Sequence, residues 1–96
     1  MITCTTVLKV RKDRKTTFER LLTELVTTVR ANEPGTTLFQ LVRSRREPLT
    51  YLVIEQYADA EALAEHSATD YLKATVPEML TYLTEPPRLD SFDPVA

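Results

Sequence analysis

From Ile2 to Arg11 the chain alternates with period two. Ile2, Cys4, Thr6, Leu8 and Val10 fall on one side, and Thr3, Thr5, Val7, Lys9 and Arg11 on the other. That is the pattern of a strand, and its Thr and Val content fits a pleated surface. The period then changes. Phe18, Leu21, Leu22, Leu25, Val26 and Val29 recur at spacings of three and four, which gathers them on one stripe of a helix. Asp13 is a candidate N-cap. Glu33 precedes Pro34, which pushes it out of helical geometry, and Gly35 completes a turn. A helix from about residue 14 to about residue 32 is expected.

Two strand-like runs follow, Thr37 to Arg45 and Leu49 to Tyr57, joined by the polar Arg46-Glu47-Pro48. So short a connection favours an antiparallel hairpin. From Ala58 to His66 the composition is rich in Ala and Glu, with Asp59 placed to cap a helix. A break near Ser67 to Asp70 leads into a second helical stretch from Tyr71 to Leu83, where Pro77 predicts a kink or a fresh start. Pro86-Pro87 ends it, and residues 88–93 suit a last short strand.

The order β-α-β-β-α-β is the split pattern of an α+β, ferredoxin-like antiparallel sheet with its helices on one face. Yet both strand faces are apolar. Leu38 and Val42 alternate against Phe39 and Leu41; Leu52 and Ile54 alternate against Tyr51, Val53 and Tyr57. A two-layer monomer would leave one of these faces wet, and the sheet of a second copy is the simplest cover. A homodimer is therefore expected.

The length of 96 residues fits a single domain spanning 1–96. A net charge of −2 argues against a generally basic nucleic-acid binder. No apolar run approaches the roughly 18 residues of a membrane span, and the Thr-rich start lacks the apolar core of a signal peptide, so a cytoplasmic protein is expected. One cysteine allows no intrachain disulfide framework and no Cys cluster for zinc. There is no phosphate loop, nucleophile elbow, dinucleotide fingerprint or His-rich metal motif. If the chain is an enzyme, it is expected to use its own acids and bases, with no cofactor and no metal.

His66 is the one side chain whose charge changes near neutral pH when unperturbed. It is either a packed histidine satisfied by a nearby carbonyl or a catalytic base. Glu55 stands among apolar residues and is either solvated, paired at a dimer interface, or functional. Tyr51, Tyr57, Tyr71 and Tyr82 read first as packing residues with locally bonded hydroxyls. Arg43, Arg45 and Arg46 form a basic cluster at the hairpin, Asn32 ends a helix, and Cys4 reads as a small core residue.

Several segments together resemble a known family. Asn32-Glu33-Pro34-Gly35-Thr36-Thr37-Leu38 is similar to the helix-end and turn of antibiotic biosynthesis monooxygenase domains. Glu55-Gln56-Tyr57 followed by the Ala/Leu helix to His66 resembles their strand-to-helix signature, and Ser67 to Tyr71 their small-residue turn before an aromatic. The chain lacks the Trp that some oxygenase members use in the pocket, and it carries Asp70 where many relatives have a second His. A heme-degrading branch is less similar, because Thr75 stands where its ligand histidine would be.

The resemblance implies a dimeric α/β barrel of two ferredoxin-like subunits. It also implies a cofactor-independent monooxygenase acting on a quinol, phenol or aromatic polyketide with molecular oxygen. His66 would be the base. Tyr51, Tyr57 and Tyr71 would stack on or bond to the ring, Glu55 would orient His66 or hold a water, Arg43 would stabilise the anion if it faces the pocket, and Asn32 matches a polar residue of the family. The alternatives are an isomerase or cyclase on a small carbonyl compound, which the family also contains, and a non-catalytic dimeric ligand-binding module.

Overall fold

The computed structural model describes residues 1–96. Strand β1 is Ile2–Lys9, helix α1 Lys15–Asn32, β2 Thr36–Arg43, β3 Thr50–Tyr57, α2 Ala60–Ser67, α3 Asp70–Leu80 and β4 Arg88–Phe92. The four strands form one antiparallel sheet in the order β2-β3-β1-β4. This is the ferredoxin-like arrangement that the element order implied. No helix is long and apolar enough to cross a membrane.

The period-three-and-four stripe of α1 packs on the sheet. Phe18, Leu22, Leu25, Val26 and Val29 are buried and meet Leu8, Phe39, Tyr51 and Val53 from the strands. The strand register places Cys4 opposite Glu55 and Leu8 opposite Tyr51, and Phe39 opposite Glu55. With side chains alternating across each strand, these residues share the helix side. Thr37 is an extra residue where the β2–β3 register shifts, so Thr36 pairs with Tyr57 and Leu38 with Gln56. The bulge turns Thr36 to the helix side, together with Phe39.

Three local details differ from the sequence reading. Asp13 does not cap α1. It lies in a 3-10 turn, Lys12–Arg14, and pairs with Arg11 at 3.5 Å, while the N-cap Arg14 has no side-chain cap. Of the two outcomes expected at Pro77, the fresh start does not occur; α3 runs through it to Leu80. Only three residues follow it, so the lost backbone bond costs little further helix. Cys4 is half-buried and lines a cavity rather than the closed core. Asp59 caps α2 as expected, accepting from the Ala62 N–H at 2.8 Å.

Candidate functional site

The site is assembled by three elements ending at the same place. Strand β3 delivers Glu55 and Tyr57 on the helix side, two residues apart. Helix α2 delivers His66 in its last turn. The turn after α1 delivers Glu33, whose backbone N–H closes the helix on the Val29 carbonyl at 3.0 Å. That turn is tied to the strand-to-helix junction by the Ala58 N–H donating to the Gly35 carbonyl at 2.9 Å.

His66 is 4 % exposed. Its ring lies between those of Phe39 and Tyr57, with centroids at 5.3 Å and 5.4 Å and a tilt of 48° to each. Nδ1 is 2.8 Å from Glu33 Oε1 and 3.1 Å from Oε2. Nε2 is 3.5 Å from Glu55 Oε1, too far for a firm hydrogen bond. The Tyr57 hydroxyl donates to Glu55 Oε1 at 2.6 Å. On the other side, the Thr36 hydroxyl donates to Glu33 Oε1 at 2.7 Å, and the Tyr71 hydroxyl donates to Glu33 Oε2. The partner of the histidine is thus a carboxylate, not the carbonyl of the packing reading.

Burial pushes the Glu55 carboxyl up from its ordinary range. The Tyr57 hydroxyl and His66 act against that, and Glu33 adds to it. Burial and then the bond to Glu55 push the Tyr57 hydroxyl far above its ordinary value. Tyr71 is pushed up to about 12, by burial first and then by its bond to Glu33. Both tyrosines are therefore hydrogen-bond donors here and not proton acceptors.

His66, Glu55 and Tyr57 line a cavity of about 260 Å³ between the sheet and the helices. Its walls are mostly apolar, among them Leu22, Leu25, Leu72, Val76 and Met79, and β4 contributes Asp90. No Lys or Arg lines it. A second cavity of about 300 Å³ opens on the outer side of Glu33 and is lined by Asn32, Glu65, Thr69 and Tyr71 among others. No group of three His, Cys, Asp or Glu side chains is placed to hold a metal ion.

The residues singled out from sequence therefore divide. His66, Glu55 and Tyr57 come together at the inner cavity. Tyr71 reaches the cluster only through Glu33, from the outer side. Asn32 is exposed, its amide donating to the Thr28 carbonyl at 2.8 Å, and it touches only the outer cavity. Arg43 and Tyr51 stand elsewhere and do not face the inner cavity. Arg43 is 3.4 Å from Glu19, the Tyr51 hydroxyl donates to the same carboxylate, and the Tyr51 ring packs tilted against Phe18, with centroids 4.8 Å apart. They sit at the far end of the hairpin from His66, four strand residues or roughly 13 Å from Glu55 in the case of Tyr51. Glu33 was missed, read only as the residue before a proline. The sequence signal for it was an acid immediately ahead of a Pro-Gly turn in the segment that carries the family resemblance.

Against known proteins, the profile described as "Antibiotic biosynthesis monooxygenase" matches residues 1–78. A solved structure from Caulobacter crescentus, described as a candidate antibiotic biosynthesis monooxygenase, is 37 % identical. It covers 99 % of this chain and 90 % of its own, with a TM-score of 0.94. Structures with similar descriptions from Nitrosomonas europaea and Deinococcus radiodurans share the fold at 19 % and 14 % identity. Their TM-scores are 0.89 and 0.91; each covers the whole of this chain, and the matches span 100 % and 94 % of theirs. No curated protein matches the chain.

Proposed function

Because the chain belongs to the antibiotic biosynthesis monooxygenase family, we propose that it oxygenates an electron-rich phenol or quinol with molecular oxygen, using its own side chains and no bound cofactor. The observation that carries this reading is His66 held beside Glu55 in the wall of a mostly apolar cavity that no Lys or Arg lines. About 150 Å³ accommodates a benzene molecule, so about 260 Å³ suits a fused bicyclic ring or a substituted single one. Glu55 and Asp90 with no Lys or Arg favour a neutral substrate over one bearing a carboxylate or phosphate.

The chemistry follows from proton removal. His66 takes the proton of the ring hydroxyl at Nε2, and the resulting phenolate is a far better electron donor than the phenol. Oxygen accepts those electrons. One oxygen atom joins the ring carbon as its C–H bond breaks, and the other leaves as water with the two protons. A quinol and O₂ give a hydroxyquinone and water, with the quinol supplying every electron, so no separate reductant is required. The apolar walls keep bulk water from the anion. Tyr57 holds Glu55 by donating to it, leaving Nε2 to the substrate.

An open cavity with a buried histidine in its wall supports catalysis over a module whose pocket is filled by Leu and Phe. We also propose that the active form is a homodimer, with the sheet face opposite the helices as its interface and each copy holding a complete cavity. Oxygen uptake with naphthohydroquinone and a panel of phenols, measured above the uncatalysed rate, tests the reading. His66→Ala should lower turnover by about 10²–10⁴-fold with little change in Tm. Turnover of a panel compound without oxygen consumption would point to an isomerase, and full activity in His66→Ala would remove the base assignment.

A further inference from the structure

The two cavities share no lining residue, and the His66–Glu33 bond is what crosses the wall between them. His66 faces the inner one and Glu33 the outer. Glu33 carries three converging donors: Thr36 Oγ1 and His66 Nδ1 on Oε1, and the Tyr71 hydroxyl on Oε2. An ionised carboxylate offers only acceptor sites, so this is the arrangement such a carboxylate takes. Its side chain is 9 % exposed. The donors come from β2, α2 and α3, so Glu33 is fixed from three elements and is not a rotatable surface acid.

We propose that Glu33 is the positioning residue of the site: it holds His66 as the tautomer protonated on Nδ1, and so leaves the Nε2 lone pair directed at the substrate. A neutral imidazole carries one proton, and the bond made by one nitrogen decides the character of the other. In free histidine the Nε2–H form is the more stable, and that form would present a donor to the substrate hydroxyl and accept nothing. Glu33 reverses this preference. When Nε2 takes the substrate proton, the same carboxylate lies 2.8 Å from the imidazolium and stabilises it, without itself becoming protonated. Tyr71 and Thr36 hold Glu33 in that place, and neither lines the inner cavity. This role rests on the reading of His66 as the base.

The chain contains one histidine, so its ring nitrogens give an unambiguous NMR signal in the intact protein. The expected spectrum at neutral pH is the Nδ1–H tautomer. In Glu33→Gln the Tyr71 hydroxyl claims the single amide oxygen at the Oε2 position, which sets the amide N–H₂ against Nδ1, and the ring should turn to Nε2–H. With naphthohydroquinone, kcat should fall about 10²–10⁴-fold while KM stays within a few-fold, because Glu33 does not line the substrate cavity. Glu33→Asp should recover part of the loss, and Tyr71→Phe, which leaves the carboxylate in place, should lose much less than Glu33→Gln. A wild-type ring found as Nε2–H overturns the proposal without any variant, as does a Glu33→Gln enzyme that retains wild-type tautomer and kcat. His66→Ala separates the two levels: if it is inactive while Glu33→Gln is fully active, the base stands and the positioning role falls. A wild-type ring that is doubly protonated at neutral pH overturns both.

Discussion

A methyl group placed on Gly35 would lie 2.7 Å from Ala62 Cβ. The turn after α1 presses on the first turn of α2 so closely that only hydrogen fits. The need is for room and not for unusual backbone, since no glycine here has positive φ. Ala62 and His66 are four residues apart and share one face of α2, so this contact helps to fix the distance between Glu33 and His66. Gly35→Ala should cost about 1–3 kcal/mol by overpacking and lower kcat as Glu33 is pushed away. Ala62→Gly in the same chain should restore kcat while leaving a helix deficit of about 1 kcal/mol. Denaturant unfolding and oxygen uptake on the two single variants and the double variant check this. A Gly35→Ala protein unchanged in both would show that the turn gives way elsewhere.

All four tyrosines donate to a glutamate: Tyr51 to Glu19, Tyr57 to Glu55, Tyr71 to Glu33 and Tyr82 to Glu78. Each hydroxyl is pushed above its ordinary value of 10.0, Tyr51 and Tyr71 to about 12. Burial is the first cause for Tyr51, Tyr57 and Tyr71; for Tyr82 it is the bond to Glu78. The folded chain therefore keeps its phenol protons where the unfolded chain loses them. For Tyr51 and Tyr71 that contribution to stability is complete below pH 10 and is lost as the pH climbs from 10 towards 12. Phenolate absorption at pH 10 should be nearly absent in the folded protein and correspond to about half the tyrosines once urea unfolds it. A folded protein with half its tyrosines ionised at that pH would contradict the bonds described.

Glu55 should behave in the corresponding way at the acid end. Its carboxyl is raised above the ordinary 4.5, chiefly by burial. The native state therefore binds its proton more tightly than the unfolded state does, and stability falls as pH rises through that range. Ionising Glu55 is therefore a net cost to the fold. Glu55→Gln keeps an acceptor for the Tyr57 hydroxyl and removes the charge, so its Tm should exceed that of the wild type at pH 7. The difference should shrink as the pH falls towards about 4.5 and be closed below it. Melting curves across that window test the sign, and a gap that widens on acidification would refute it.

Periodicity was enough to place the elements, because the period-two run of Ile2 to Val10 and the helical stripe of Phe18 to Val29 each have one strong interpretation. It also identified the face of each strand. It could not give position along the strand: Tyr51 shares a face with Glu55 and Tyr57, as Arg43 does with Phe39, yet Tyr51 and Arg43 lie at the opposite end from His66. Which end of β3 meets His66 depends on how α2 folds back on the sheet, a long-range contact that strand alternation does not carry. Glu33 was illegible for a related reason. Its partners His66 and Tyr71 lie 33 and 38 residues away, and the closeness of the two segments depends on the Gly35–Ala62 contact, which no local pattern encodes. His66 was legible because it is the single histidine.

The sheet face opposite the helices carries the last prediction. Val7, Leu38, Val42, Leu52 and Ile54 are half-buried there, and Phe92 is 51 % exposed. Pairing sets Val7 beside Leu52 and Val42 beside Leu52, so the apolar groups are contiguous across β1, β3 and β2. At about 25 cal/mol per Å² of apolar area, covering such a face is worth several kcal/mol. A second copy presents the same patch to itself through a two-fold axis. A stable pair buries roughly 1,600 Å² in total, and sedimentation at micromolar concentration should then give twice the 11.0 kDa of one chain. Ile54→Glu places a charge on this face in the middle of the sheet and leaves the helix side untouched, so it should yield a folded monomer with the secondary structure of the wild type. A wild-type chain that sediments as a monomer, or an Ile54→Glu variant that remains dimeric, would mean that this face is not the interface.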